Sequence, residues 1–250
     1  MNGEIWRGFK DFIVYEKVQE DEVVTSFYLK SKDGMSLPKA IPGQFIAVRI
    51  KKGDNEYSKV RQYTLSMDSK EEFYRISVKN EENGDLSKQL CRDIKVGDII
   101  EATIPMGKFV LKDGDVPVVL IGGGIGITPM IAMAYATKGT NREVKLVYST
   151  SNSKYHSFKE ELNKLNLENN IDLIKIYTQP LYENELSVDF DVEGRINKEW
   201  IENNLPIDAE FYLCGPIEFM RTIYKSLEEL GIEKSKINFE LFTAGKDITK

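Results

Sequence analysis

Residues 118–129 read Val118-Val119-Leu120-Ile121-Gly122-Gly123-Gly124-Ile125-Gly126-Ile127-Thr128-Pro129. A continuous apolar run of this kind belongs to a strand buried on both faces, the habit of parallel sheets. The glycines that follow permit a sharp turn. Pro129 suits the first position of a helix, where its missing N–H has no intrahelical partner to lose. Strand, glycine turn and helix start together make an anion site, because absent side chains let a phosphate reach backbone N–H groups at the positive end of the helix. Gly123, Gly124 and Gly126 form the candidate cradle, with the Thr128 hydroxyl as a further donor. The spacing departs from G-x-G-x-x-G. A plain strand–helix turn or an S-adenosylmethionine site would use the same glycines, so this stretch alone leaves the ligand open.

Strands and helices alternate beyond Pro129. Residues 144–148 and 171–177 read as strands. Ser157 and Glu160 read as a capping box opening a helix that turns Phe158, Leu162 and Leu165 inward. Asn197 caps a short helix carrying Trp200 and Ile201. After strand 211–214, Pro216 opens an amphipathic helix with Met220, Ile223, Tyr224, Leu227 and Leu230 on one face, ending at Gly231. A last strand covers 237–241. Repeated β-α units imply a parallel sheet covered by helices. Upstream of residue 112 the pattern has period two instead. The runs 12–15, 23–29, 45–50, 73–79 and 99–104, separated by Gly, Asp, Asn and Pro, predict a closed antiparallel barrel with one short helix at 85–90. Lys112-Asp113-Gly114-Asp115-Val116 is the linker.

Composition narrows the function. The 250 residues hold 34 Lys+Arg against 40 Asp+Glu, a net charge of −6, so no overall field favours nucleic acid or anionic lipid. With 2 cysteines, Cys91 and Cys214, and 1 histidine, His156, the chain cannot by itself build a Cys-rich metal or cluster site, and no metal site is expected. No apolar run is long enough to span a membrane and no signal-peptide core opens the chain, so a cytoplasmic protein is expected.

Three more segments carry chemistry. In Arg61-Gln62-Tyr63-Thr64-Leu65, Arg61 suits a phosphate, Tyr63 a ring to stack on, and Thr64 a hydrogen bond; a strand with one exposed Arg is the plainer reading. Val78-Lys79-Asn80-Glu81-Glu82-Asn83-Gly84-Asp85-Leu86-Ser87 joins a strand to a short helix, and 84–87 offer N–H groups and a hydroxyl to a phosphate; a polar hairpin would read the same way. Tyr212-Leu213-Cys214-Gly215-Pro216 puts Cys214 at the carboxyl end of a parallel strand, where ligands of open α/β sheets bind, although a lone cysteine is commonly core. Phe242, past the last strand, is an aromatic lid or core.

Taken in order, these segments resemble the ferredoxin–NADP reductase superfamily, and within it the reductase portion of flavohaemoglobins. The resemblance rests on 61–65, on 78–84 with Ser87, on Pro105-Met106-Gly107-Lys108-Phe109, on 124–130, and on 212–216 with Phe219-Met220. It runs from about Trp6 to Ala244. It implies an antiparallel six-stranded FAD-binding β-barrel over 1–112, followed by a Rossmann-like parallel α/β NAD(P)-binding domain over 117–250.

It also implies roles. Arg61 holds the flavin diphosphate, Tyr63 stacks on the isoalloxazine, and Thr64 lies near flavin N5, with Gln62 in the same motif. Phe45 lies beside the flavin. Val78, Lys79, Gly84, Leu86 and Ser87 shape the loop around the flavin diphosphate. Gly123, Gly124, Gly126, Thr128 and Pro129 receive the pyridine-nucleotide diphosphate. Cys214, with Gly215 and Pro216, and Glu240 stand beside the nicotinamide, and Phe242 covers the flavin. Thr64, Cys214 and Glu240 are the candidate catalytic residues. The loop 149–154, starting at Ser149, separates NADH from NADPH; it contains no arginine for a 2′-phosphate, which favours NADH, although its serines with Lys154 could still hold a phosphate.

Two departures bear on function. Position 64 is Thr where Ser is usual, and Leu241-Phe242-Thr243-Ala244 lacks the family's Gly-Pro after Phe. With no globin before Met1 and no Cys-rich domain at the end, the expected activity is that of a stand-alone FAD-dependent NAD(P)H oxidoreductase. It would pass single electrons to a separate globin, ferredoxin or oxygenase component. Alternatives are an NAD(P)H:flavin reductase that releases reduced flavin, a methyltransferase using the glycine turn, and a non-enzymatic nucleotide-binding electron-transfer or regulatory subunit. His156 is expected on an exposed loop with no catalytic role.

Overall fold

The computed structural model describes residues 5–168, 171–242 and 245–249. Thr243 and Ala244 of the C-terminal aromatic segment lie outside the described residues. The chain divides into two compact units, Met1–Leu111 and Lys112–Lys250.

The first unit is an antiparallel sheet of six strands in the order β6-β3-β8-β1-β2-β7. These are β1 (Lys10–Gln19), β2 (Val24–Ser31), β3 (Phe45–Arg49), β6 (Arg61–Thr64), β7 (Tyr74–Lys79) and β8 (Ile99–Ala102). A small hairpin, β4 (Lys51–Gly53) with β5 (Glu56–Tyr57), projects between β3 and β6. The sheet curls until its two end strands meet. Leu65, just past β6, bridges to Ile76 of β7, and Ser66 N donates to the Arg75 carbonyl at 3.0 Å. Alternating residues fill the interior: Phe12 and Val14, Phe27 and Leu29, Ile46 and Val48, Tyr74, Ile76 and Val78. Helix α1 (Leu86–Arg92) adds Leu86 and Leu90 to that core. Lys17 Nζ, reaching over from β1, donates to the Cys91 and Ile94 carbonyls at 2.7 and 2.8 Å and satisfies the end of α1.

The second unit is a parallel six-stranded sheet, β12-β11-β10-β9-β13-β14. Its strands are β9 (Val118–Gly123), β10 (Val144–Thr150), β11 (Ile171–Tyr177), β12 (Val192–Glu193), β13 (Glu210–Cys214) and β14 (Ile237–Glu240). Its helices are α2 (Ile127–Ala136), α3 (Lys159–Glu168), α4 (Lys198–Asn204) and α5 (Ile217–Glu229). All six residues of β9 are buried, as a central strand requires. Met220, Ile223, Tyr224 and Leu227 of α5 pack on Val119, Ile121, Phe211 and Leu213. The strand order reverses between β9 and β13, the crevice where doubly wound sheets take ligands. Residues 112–116, expected as a linker, are bound into this unit: Arg142 donates to the Lys112 and Val116 carbonyls, and Lys112 N donates to Tyr212 Oη.

Two local expectations shift and one holds. Helix α2 begins at Ile127, so Pro129 is its third residue; the first four N–H groups have no partner within a helix, so proline is tolerated there too. Helix α3 begins at Lys159, one residue later than a Ser157 cap implies, with Phe158 at φ 58° and its carbonyl accepting from Leu162 N at 2.9 Å. Phe158, Leu162 and Leu165 are nevertheless buried. Asn197 does cap α4, its Oδ1 accepting from Trp200 N at 2.8 Å.

His156 is the clear correction. It is 3% exposed, not on an exposed loop. The turn at 153–155 folds back over β10, with the Tyr155 carbonyl accepting from Thr150 Oγ1 at 2.8 Å, and this carries the imidazole between Tyr148 and Tyr177. Its Nδ1 lies 2.7 Å from Tyr177 Oη, and Nε2 is buried without a partner among the described residues. Burial pushes its pKa down to about 3. The folded protein therefore holds a neutral imidazole that the unfolded chain protonates below about pH 6.5. The resulting stability is complete above that pH and is lost as pH falls towards about 3. His156→Gln keeps an acceptor near Tyr177 and cannot titrate, so its unfolding midpoint should drop less than the wild type's from about pH 7 to about pH 5. Parallel curves for the two proteins would overturn this account.

Candidate functional site

Each unit carries its own set of the expected site residues. In the first, β6 is an end strand paired only with β3, from Phe45–Thr64 to Val48–Arg61. Its first residues are therefore free of the core. Arg61 and Gln62 are exposed, Tyr63 is half-buried, and Thr64 is buried. The Arg61 guanidinium donates to its neighbour's carbonyl, Val60, at 3.0 Å and pairs with no carboxylate among the described residues. An exposed cation without a local anion suits a phosphate. Burial pushes the Tyr63 phenol up, so the ring stays neutral and apolar in the working range. Phe45 packs against Gly107, which has φ 118°; a methyl there would lie 3.0 Å from the Phe45 ring.

The loop after β7 completes this half. A methyl on Gly84 would meet the Ser87 hydroxyl and lie 3.1 Å from the Glu81 carbonyl, so the chain turns closely into α1 at this glycine. The expected residues differ in what they can offer. Val78 and Leu86 put their side chains into the core and leave only backbone to a ligand. Lys79 is exposed and ion-paired with Glu81 at 3.2 Å. Ser87 is nearly buried, with its hydroxyl against Gly84.

In the second unit the glycine turn leads from β9 through a 3-10 turn, Gly124–Gly126, into α2. Gly124 takes φ 51° with open space where a side chain would be. A methyl on Gly122 would lie 2.8 Å from Ile127 Cα, one on Gly123 would lie 2.8 Å from the Phe219 ring, and one on Gly126 would overlap the Cys214 carbonyl. Of these four glycines only Gly124 faces open space; the others are required because neighbouring chain fills the place a side chain would take. Thr128 is buried and its hydroxyl donates to the Ile125 carbonyl at 3.0 Å, so that proton holds the turn and is not spare for a phosphate. Ser149, at the end of β10, is buried beside Gly123 of β9.

Cys214 and Glu240 are register partners on β13 and β14. The Cys214 thiol is 0% exposed, and burial, with the Glu240 charge second, pushes its pKa well up. It is a neutral packing group at the end of the strand, not a thiolate. Glu240 differs. Its Oε2 is buried with no hydrogen-bond partner among the described residues, and burial raises its pKa to about 7. A buried acceptor left open at the carboxyl end of a parallel strand fits an amide N–H₂ from a ligand. Gly215, at φ 156°, leads to Pro216 at the cap of α5. Phe242 is 47% exposed.

Phe219 belongs to the resemblance over 212–220, and the sequence assigns it no role. A methyl on either Gly123 or Gly215 would lie within 2.9 Å of its ring, so it walls one side of the glycine turn. The signal was its place on α5 outside the buried stripe of Met220, Ile223 and Leu227. Among the described residues no group of three or more His, Cys, Asp or Glu is placed to hold a metal ion, and no helix is long and apolar enough to cross a membrane.

Comparison with known proteins agrees with this division. Residues 11–111 match the oxidoreductase FAD-binding domain and residues 120–225 the oxidoreductase NAD-binding domain. The flavohemoprotein of Bacillus cereus is 40% identical over 249 residues, covering 95% of this chain and 61% of that protein. The chain thus spans about three fifths of the length of the curated relatives it matches. Among solved structures, the flavohem-like FAD/NAD-binding domain of nitric oxide dioxygenase from Vibrio cholerae is 35% identical with a TM-score of 0.83, over 92% of this chain and 97% of that one. Flavohemoglobin from Malassezia yamatoensis, solved with FAD and heme, is 26% identical with a TM-score of 0.81, over 94% and 60%. Phthalate dioxygenase reductase, described as a modular structure for electron transfer from pyridine nucleotides to [2Fe-2S], is 26% identical with a TM-score of 0.76, over 96% and 70%. On these grounds the chain belongs to the ferredoxin reductase family, as an FAD-binding oxidoreductase domain followed by an NAD-binding one.

Proposed function

We propose that this chain takes a hydride from NAD(P)H onto FAD and hands the electrons singly to a separate redox protein, a globin, a ferredoxin or an oxygenase component. One observation carries this reading: each unit has its own glycine turn leading into a helix, at Gly84 and at 122–126, which supports a diphosphate site in each. A methyltransferase or a single-nucleotide sensor needs only one. Bound flavin supplies the conversion between paired and single electrons. Relatives solved with FAD and heme, or described as passing electrons to [2Fe-2S], support haem and iron–sulfur proteins as the acceptor classes. Two free thiols, Cys91 and Cys214, suit a reducing compartment and support a cytoplasmic location.

The chain's own residues then divide the work. Arg61 neutralises the flavin diphosphate, and Gly84 and Ser87 shape the loop that receives it. Tyr63 and Phe45 supply apolar ring faces, Gln62 lies on the same strand, and the Thr64 hydroxyl serves flavin N5. Gly123, Gly124 and Gly126 receive the dinucleotide diphosphate at the start of α2, with Thr128 and Pro129 fixing the turn. Cys214, Gly215 and Pro216 form the floor on which the nicotinamide rests, and Glu240 Oε2 orients its carboxamide. Phe242, half-exposed after β14, is kept for the capping role the resemblance assigns. NADH is the favoured donor, since 149–154 contains no arginine.

Two outcomes test these assignments. Arg61→Ala should weaken FAD binding about 10- to 100-fold, the loss of a charge-assisted hydrogen bond to a phosphate, read as flavin absorbance retained through gel filtration. Undiminished flavin content would contradict the role of Arg61. The second concerns pH. Below about pH 7 Glu240 is a neutral carboxyl, and above it a carboxylate that accepts an amide N–H more strongly. Affinity for oxidised NAD, which cannot turn over, should therefore rise with pH through about 7. Glu240→Gln should flatten that rise. A slope that survives the substitution would remove Glu240 from carboxamide binding.

A further inference from the structure

The loop after β10 is tied to the loop after β11 by two asparagine side chains and by Gln179 N, which donates to the Ser151 carbonyl at 2.9 Å. Asn152, buried, uses both ends of its amide inside the fold: Oδ1 accepts from Lys154 N at 3.2 Å and Nδ2 donates to the Gln179 carbonyl at 3.2 Å. Ser153 Oγ accepts from Asn184 Nδ2 at 2.8 Å. Asn184 Oδ1 accepts from Leu181 N at 2.9 Å and from Ser153 N at 3.5 Å. Asn184, 31 residues downstream, therefore clasps the turn at 181–184 to the turn at 152–155.

The position of this clasp gives it a function. Counted from the glycine turn, β9 is the first strand and β10 the second. In a doubly wound sheet, groups shortly after the second strand read the adenosine ribose, an acidic residue accepting from its 2′-hydroxyl or an arginine donating to a 2′-phosphate. Here the loop has no arginine, and its Asn152 and Ser153 side chains are drawn into the clasp. The neighbouring loop presents Glu183 and Glu185, both exposed, on either side of Asn184. Carboxylates in that place repel a phosphate and tolerate a hydroxyl.

We propose that Asn184 is a positioning residue for dinucleotide choice: by tying Ser153 to the 181–184 turn it holds the two loops in the arrangement that admits NADH and rejects the 2′-phosphate of NADPH. The proposal rests on the reading that the chain oxidises NAD(P)H.

The test compares NADH and NADPH oxidation by the full chain loaded with FAD, with ferricyanide as acceptor, recording kcat, KM and flavin content. The wild type should prefer NADH. Asn184→Ala should narrow the NADH:NADPH ratio of kcat/KM about tenfold, the scale of one lost hydrogen bond at a recognition loop. The change should sit in KM, with kcat and flavin content held. Asn184→Asp can still accept from Leu181 N and from the Ser153 hydroxyl, so it should restore or widen the preference. An unchanged ratio in Asn184→Ala overturns the proposal, as does a fall in kcat with KM constant. Should Asn184→Ala not fold, Ser153→Ala removes the Nδ2–Oγ bond from the other side, leaves the bonds to Asn184 Oδ1, and must still narrow the ratio; no narrowing there overturns it. A wild type that prefers NADPH also defeats it. A wild type that oxidises neither nucleotide brings down the underlying reading together with the proposal.

Discussion

The second unit depends on one close approach of backbone to backbone. Where β9 turns into α2, Gly126 lies so near the Cys214 carbonyl that no side chain fits between them, and Gly122, Gly123 and Gly215 are crowded by Ile127 and Phe219. These contacts lie at the reversal of strand order, so the same crowding that closes the sheet also bares the N–H groups of a helix start. The glycine turn and the packing of the unit are one feature. It follows that Cys214 is held neutral and buried, while the acceptor left open beside it belongs to Glu240 on the next strand.

The first unit solves its binding problem differently. Its barrel closes through Leu65 and Ser66, just past the end of β6, which leaves the start of that strand outside the core. Arg61 is consequently exposed and without a carboxylate, whereas Thr64, three residues on, is buried. Charge is supplied here by a side chain and in the second unit by backbone dipoles. Both suit a diphosphate, and each uses glycine only where chain must pass close to chain.

Much of this was visible in residue order. The apolar run at 118–121 and the glycines after it dictate a central parallel strand and its turn. The stripe on α5 dictates its buried face, and Asn197 its helix start. The first strands show period two, so the barrel was expected. Boundaries moved by a residue or two, as at Pro129 and Ser157, because several N–H groups at a helix start are free and more than one starting residue satisfies local chemistry. His156 was misplaced for a different reason. Polar neighbours and a nearby helix start point to the surface, and nothing local announces that the preceding turn folds back and carries the imidazole between two tyrosines.

Strand type, helix faces and the places where glycine must stand follow from local chemistry, because period, side-chain volume and missing N–H groups act within a few residues. The state of each site group does not. The unpartnered oxygen of Glu240, the committed proton of Thr128, the neutral imidazole of His156 and the bond from Asn184 to Ser153 all depend on what distant segments place around them. Desolvation and hydrogen-bond satisfaction are properties of a neighbourhood, and that neighbourhood comes into being only when the chain has closed upon itself.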